Sequence, residues 1–214
     1  MDSAVFCVNA SETSRPYLIA IAGPSCAGKT TLAQGLVQEL PEAIHFPLDA
    51  YYADLSDINL GQRAQHNFDH PDALDYGLLL ADLQMLANGQ SIHAPVYDFH
   101  THTRQSITRP IAPPRYLLVE GLFALYFPVL RSLYDYRIYV DVCSKTSLER
   151  RIRRDSTERG RLEAHVRQQF TYQVEPMAQH YIIPTRPHAD RVVSGTDSSL
   201  MLCAQIQQAC INLK

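Results

Sequence analysis

A glycine-bounded loop, Gly23-Pro24-Ser25-Cys26-Ala27-Gly28-Lys29-Thr30-Thr31, constrains this chain more than any other feature. It has the form G-x-x-x-x-G-K-[ST] and follows Leu18-Ile19-Ala20-Ile21-Ala22, an apolar run that reads as a buried strand. Behind it, apolar residues at 32, 33, 36, 37 and 40 recur at helical spacing. Strand, loop and helix in that order make a phosphate cradle. Backbone N–H groups of residues 25 to 30 turn inward, and the helix N-terminus adds partial positive charge. In such a cradle Gly23, Ser25, Cys26, Ala27, Gly28, Lys29, Thr30 and Thr31 hold the nucleotide. Lys29 reaches the β- and γ-phosphates, and the Thr30 hydroxyl serves Mg²⁺.

The rest of the chain reads as strands alternating with helices. Apolar runs at 43–48, 116–120, 137–141 and 191–193 are expected strands; 75–88 and 199–212 are expected helices. A short strand is expected near 94–99, followed by a polar loop to Pro114. From Ser144 the pattern is helical to Arg154, breaks over 156–160 and resumes near Leu162. This order implies an α/β fold: a parallel sheet covered by helices on both faces, with a helical arginine-rich lid at about 150–183. Residues 16–214 form one domain behind a loose leader, 1–15.

Charge and cysteine usage narrow the function. The net charge of −3 argues against a general nucleic-acid binder. Yet seven of the sixteen arginines, at 150, 151, 153, 154, 159, 161 and 167, fall within eighteen residues. Such a run is commonly a solvated helix face. In a chain that binds a triphosphate, it reads instead as a lid that brings guanidinium groups, Arg154 and Arg159 among them, onto the transferring phosphoryl group. The five cysteines lack C-x-x-C spacing, so neither zinc nor a disulfide framework is indicated. Neither a signal segment nor an apolar run of membrane-spanning length is present, which points to the cytoplasm and away from membranes.

Acidic residues at strand ends complete the candidate site. Asp49 follows the second strand and is close to the loop if the two strands are neighbours; it reads as a proton acceptor for an attacking hydroxyl, or as a turn cap. Glu120 ends the most apolar strand and reads as a Mg²⁺-orienting carboxylate, or as a solvent-facing strand end. Asp141 reads as a structural cap. His100 and His102 lack the further ligands a zinc site needs.

Taken together, these segments resemble the uridine kinase (uridine–cytidine kinase) group of phosphoribulokinase-like P-loop kinases. The resemblance rests on Gly23–Thr31, Asp49-Ala50-Tyr51-Tyr52, Asn67-Phe68-Asp69-His70-Pro71-Asp72, Tyr97-Asp98-Phe99 with His102-Thr103-Arg104, Glu120-Gly121 and Arg150–Arg161. It implies transfer of the γ-phosphoryl of ATP or GTP to the 5′-hydroxyl of uridine or cytidine, with Mg²⁺. It further implies that Asp49 is the catalytic base and that Asp69, with Arg151 and Gln169, grips the ribose. Tyr97 and His102 would face the pyrimidine, Phe99 would form an aromatic wall, and Arg161 would join Arg154 and Arg159 as lid arginines. A homotetramer is also implied. The alternatives are a sibling kinase for another acceptor (a different ribosyl nucleoside, pantothenate or a sugar phosphate) and a non-catalytic nucleotide-binding protein.

Overall fold

A computed structural model describes residues 15–63 and 65–212. Of the expected leader, only Arg15 falls among them, paired with Asp135 at 2.6 Å; residues 1–14 lie outside the described residues.

Five parallel strands form the sheet: β1 (Tyr17–Ala22), β2 (Ala43–Pro47), β5 (Tyr116–Glu120), β6 (Tyr136–Asp141) and β7 (Arg191–Ser194). Their order is β2-β5-β1-β6-β7. The chain places β2 and β5 on one side of β1 and β6 and β7 on the other. A crevice therefore opens at the carboxyl end of β1, where strand order reverses. Side chains alternate between the two faces, so each face builds its own core. Leu18, Ala20, Phe46, Leu117 and Val119 pack beneath α3 (Tyr76–Ala87). Ile19, Ile21, Leu118, Ile138 and Val140 pack with α1 (Lys29–Glu39) and α8 (Ser199–Asn212). Burial on both faces explains why β1 and β5 read as continuous apolar runs.

Two expectations are corrected. Residues 103–111 are not loop: β4 (Thr103–Ile111) pairs antiparallel with β3 (Ile92–Asp98) as a separate two-stranded ribbon. Most of β4 is solvent-exposed, so its sequence is mainly polar and lacks the alternation of a half-buried strand. The helix break is also narrower than expected. Helix α5 (Ser144–Arg159) runs through 156–159, Gly160 caps it, and α6 (Glu163–Gln169) follows.

Short helices complete the order: α2 (Leu60–Arg63), α4 (Pro128–Arg131) and α7 (Glu175–Met177). Two π-helical runs, Phe170–Val174 and Ala178–Ile182, flank α7. Such runs concentrate at functional sites.

Candidate active site

The phosphate loop joins β1 to α1, and its carbonyls are held from outside. Ser147 Oγ donates to the Ser25 carbonyl at 2.7 Å, and Arg150 donates to those of Cys26 and Ala27 at 3.3 and 3.4 Å. With these carbonyls turned outward, the amide edge of the loop faces the cleft, the geometry of an anion nest. Cys26 adopts φ 55, a left-handed conformation that explains why glycine suits this position in such loops. Lys29 is buried; its ammonium donates to the Pro24 carbonyl at 3.0 Å and lies 4.0 Å from Glu120 Oε1.

Strands β1 and β2 are not neighbours, since β5 lies between them. Asp49 reaches the loop by another route. Pro47 is in register with Glu120, and beyond it the chain coils into a 3₁₀ turn, Leu48–Tyr51, that carries Asp49 over the end of β5. Gly121 makes room for that turn: a Cβ there would sit 2.7 Å from Leu48 Cβ. Burial, followed by the Glu120 charge, raises the pKa of Asp49 to about 6, with Lys29 opposing. The Tyr52 hydroxyl, which donates to the Phe68 carbonyl at 3.4 Å, favours the charged form of this carboxylate.

Glu120 meets Thr30 Oγ1 at 3.2 Å and His45 Nε2 at 3.3 Å. Burial alone would raise its pKa, but the His45 hydrogen bond and the Lys29 charge outweigh it and hold Glu120 below the ordinary carboxylate value.

The opposite wall of the cleft comes from the ribbon and the Asn67–Asp72 loop. Asp69 is buried, its carboxylate accepting from Gln173 Nε2 at 3.4 Å. Tyr97 is buried, and its hydroxyl has no hydrogen-bond partner among the described residues. Phe99 is half exposed and meets the Tyr97 ring edge-on at 5.3 Å. His102 stacks on Phe68; burial and the charges of Arg161 and Arg159 lower its pKa, so its ring is neutral at pH 7. Arg104 ties the ribbon to the body through Asp75 and the Tyr52 carbonyl, at 3.0 and 3.1 Å.

From α5, Arg151 donates to Ser25 Oγ at 3.0 Å and to Gln169 Oε1 at 3.2 Å. Arg161 donates to the same Gln169 oxygen at 3.2 Å. Arg154 and Arg159 line the cleft beside them. Burial and the nearby Arg154 charge displace the pKa of Arg159 downward. The cleft measures about 1060 Å³, room for two ligands end to end. It brings together Asp49, Lys29, Glu120, Asp69, Tyr97, Phe99, His102, Gln169 and six arginines of the block, Arg151, Arg154, Arg159 and Arg161 among them. Asp141 lies apart, in an exposed pair with Arg186 at 3.2 Å.

Comparison with known proteins agrees with this geometry. The model of the phosphoribulokinase / uridine kinase family matches residues 18–200. This chain belongs to that family. The uridine kinase of Chloroflexus aurantiacus is 42% identical over 182 residues, spanning 84% of this chain and 87% of the relative. That of Halalkalibacterium halodurans is 39% identical over 181 residues, spanning 84% and 86%. Among solved structures, phosphoribulokinase from Rhodobacter spheroides superposes with a TM-score of 0.61 at 17% identity, over 87% of this chain and 74% of its own; this likeness concerns the fold. As a member of this kinase family the chain is a phosphotransferase.

Several residues of this kinase site escape sequence reasoning. His45 and Gln173 carry no motif signal of their own, and only the sheet order and the π-helical run bring them in; Tyr52 stands in the Asp49 motif, but no role for it follows from that. Phe68 stands in the motif around Asp69, but its partner His102 is 34 positions away. Arg150 and Asp155 sit within the arginine block, where spacing does not separate inward from outward charges.

The donor set also fits Mg²⁺. Thr30 Oγ1 and Glu120 Oε2 are hard oxygen donors side by side, 3.2 Å apart, at the end of the phosphate loop. Mg²⁺ in nucleotide sites is held by one or two protein oxygens together with phosphates and water.

Proposed function

We propose that this kinase transfers the γ-phosphoryl group of ATP or GTP to the 5′-hydroxyl of uridine or cytidine, yielding UMP or CMP. One observation carries the reading: the partly buried Asp49 carboxylate shares a cleft with the phosphate-loop Lys29 on one side and with Asp69, Tyr97 and His102 on the other. The triphosphate lies along the Gly23–Thr31 loop, and the nucleoside lies against the ribbon. Asp69 accepts hydrogen bonds from ribose hydroxyls, with Arg151 and Gln169 beside it. The unpartnered Tyr97 hydroxyl and the neutral His102 ring face the pyrimidine edge, with Phe99 as a wall. A neutral imidazole donates to the carbonyl of uridine or accepts from the amino group of cytidine by changing tautomer.

Asp49 takes the 5′-hydroxyl proton as the oxygen attacks phosphorus. A pKa near 6 leaves it ionised at neutral pH yet more basic than an ordinary carboxylate. Lys29, Arg154 and Arg159 offset the charge on the transferring group, and a closing α5–α6 lid excludes water from the attack. Thr30 and Glu120 would hold Mg²⁺, which when bound neutralises phosphate oxygens.

The setting is pyrimidine salvage in the cytoplasm, where a reducing milieu keeps Cys26 as a thiol, and the assembly is a homo-oligomer, a tetramer by family resemblance. Among the described residues, no helix is long and apolar enough to cross a membrane. Small molecules are its partners, with nucleic acid and membranes left aside.

A coupled ADP-release assay of the purified protein against a panel of nucleosides and small alcohols tests the reading. Uridine and cytidine are expected to give the highest turnover. Turnover with pantothenate or a sugar phosphate and none with pyrimidine nucleosides contradicts it.

A further inference from the structure

Asp155 lies on α5 with its side chain fully buried, and it does not line the cleft. Four guanidinium groups that do line it surround this one carboxylate. Arg154 bonds Oδ1 closely, through Nε at 2.9 Å and a terminal nitrogen at 2.8 Å. Arg159 stands 3.7 Å from Oδ1, while Arg151 and Arg161 stand 3.7 and 3.6 Å from Oδ2. The main chain of Asp155 serves the same end: its carbonyl accepts from the N–H of Gly160 and, at 3.0 Å, from that of Arg161. This closes α5 at the left-handed Gly160 and swings Arg161 back toward the helix it has just left.

The distances divide the labour. Oδ2 is buried and has no hydrogen-bond partner among the described residues, so it holds Arg151 and Arg161 by charge alone. Their N–H groups are left for Ser25, Gln169 and whatever enters the cleft. Arg154, Arg159 and Arg161 remain 32, 43 and 37% exposed, so their outer donors are not consumed. Asp155 sits against four guanidiniums, and Glu158 and Asp69 are the other acids near them, so the group keeps positive charge facing the cleft that attracts an anion.

We propose that Asp155 is a positioning residue for phosphoryl transfer: a buried counter-charge that holds Arg151, Arg154, Arg159 and Arg161 together, aimed at the phosphates, without using up their donors. The proposal rests on the kinase reading given above and acts entirely through those arginines. Without the carboxylate the four cations repel one another, and the lid side chains lose their aim. A misplacement of about 1 Å costs about 10²-fold in rate. Ground-state attraction for a polyanion is not lost, because the cleft becomes more positive.

The test is Asp155→Asn, an isosteric removal of the charge, with kcat and the ATP dissociation constant measured separately. The expected result is a folded protein whose kcat falls by about 10²-fold while ATP binds as tightly as to wild type or more tightly. An unchanged kcat overturns the proposal. So does a parallel loss of kcat and ATP affinity, the mark of a lid that has merely collapsed. Should Asp155→Asn not fold, the charge-balanced Asp155→Asn/Arg161→Gln is compared with Arg161→Gln alone. At least about tenfold lower kcat in the double variant is expected, and equal rates overturn the proposal. Wild-type activity on uridine is the control for the substrate reading. If another acceptor proves to be the substrate, that reading fails, while the comparison of variants is made on the acceptor found and ATP binding needs none.

Discussion

The Phe68 and His102 rings stack with centroids 4.9 Å apart and 22° between their planes, joining the Asn67–Asp72 loop to the start of β4. His102 adopts φ 55, so its backbone is in the left-handed region and the stacked ring fixes where the imidazole points. An aromatic pair of this kind contributes about 0.5–1.5 kcal/mol beyond burial. Phe68→Ala is therefore expected to raise the KM for uridine about 2- to 10-fold and leave the KM for ATP unchanged. His102→Ala should raise the uridine KM further, again with little effect on ATP. Steady-state kinetics with each substrate varied in turn checks both; equal effects on the two substrates remove His102 from the pyrimidine edge.

Gly195 locks the far side of the nucleotide site. Its N–H donates to the Asp141 carbonyl at 2.7 Å and its carbonyl accepts from Arg150 at 2.9 Å. A Cβ there would stand 2.0 Å from the Ala27 carbonyl oxygen, which is backbone and cannot rotate away. Gly195→Ala must push the phosphate loop aside, at a cost of about 1–3 kcal/mol. The expected outcome is lower stability in chemical denaturation and weaker ATP binding, with uridine binding little changed. Wild-type ATP affinity in this variant would show that the loop yields freely.

The pH profile follows from Asp49. Below its pKa of about 6 the carboxyl is protonated and cannot accept a proton. The kcat/KM for nucleoside should rise with pH through about 6 and level off above it. The same displacement bears on stability with a definite sign. Because folding raises this pKa from 3.8, protonation favours the folded form. That stabilisation is complete below about 3.8 and lost as pH rises through about 6. Asp49→Asn should thus be more stable than wild type at pH 7.5, by up to about 3 kcal/mol, with the difference vanishing near pH 4. Kinetics from pH 5 to 8 and denaturation at the two pH values check the pair; a flat kinetic profile contradicts the assignment.

The legible parts of this chain were those in which one local pattern determines the outcome. Apolar run, glycine loop and helical periodicity leave little choice for residues 18–40, and the structure has β1, loop and α1 there. Asp49 was harder, because its distance from Lys29 depends on strand order, a long-range property. It arrives beside the loop through the 3₁₀ turn over β5 rather than by direct pairing of β1 with β2. The β3–β4 ribbon was half hidden, since strand periodicity comes from burying one face and β4 buries little. Asp155 was hidden altogether. Helical spacing puts charges on a face but does not say which charge that face buries, and here it is Asp155 rather than the exposed Glu158.

Single-turnover phosphoryl transfer by Asp49→Asn, with saturating ATP and uridine, tests the central claim most directly. The substitution keeps the shape and removes the proton acceptor. The account predicts a rate about 10³-fold below wild type with the ATP dissociation constant within about threefold of it. A variant that phosphorylates uridine within about tenfold of the wild-type rate would contradict it.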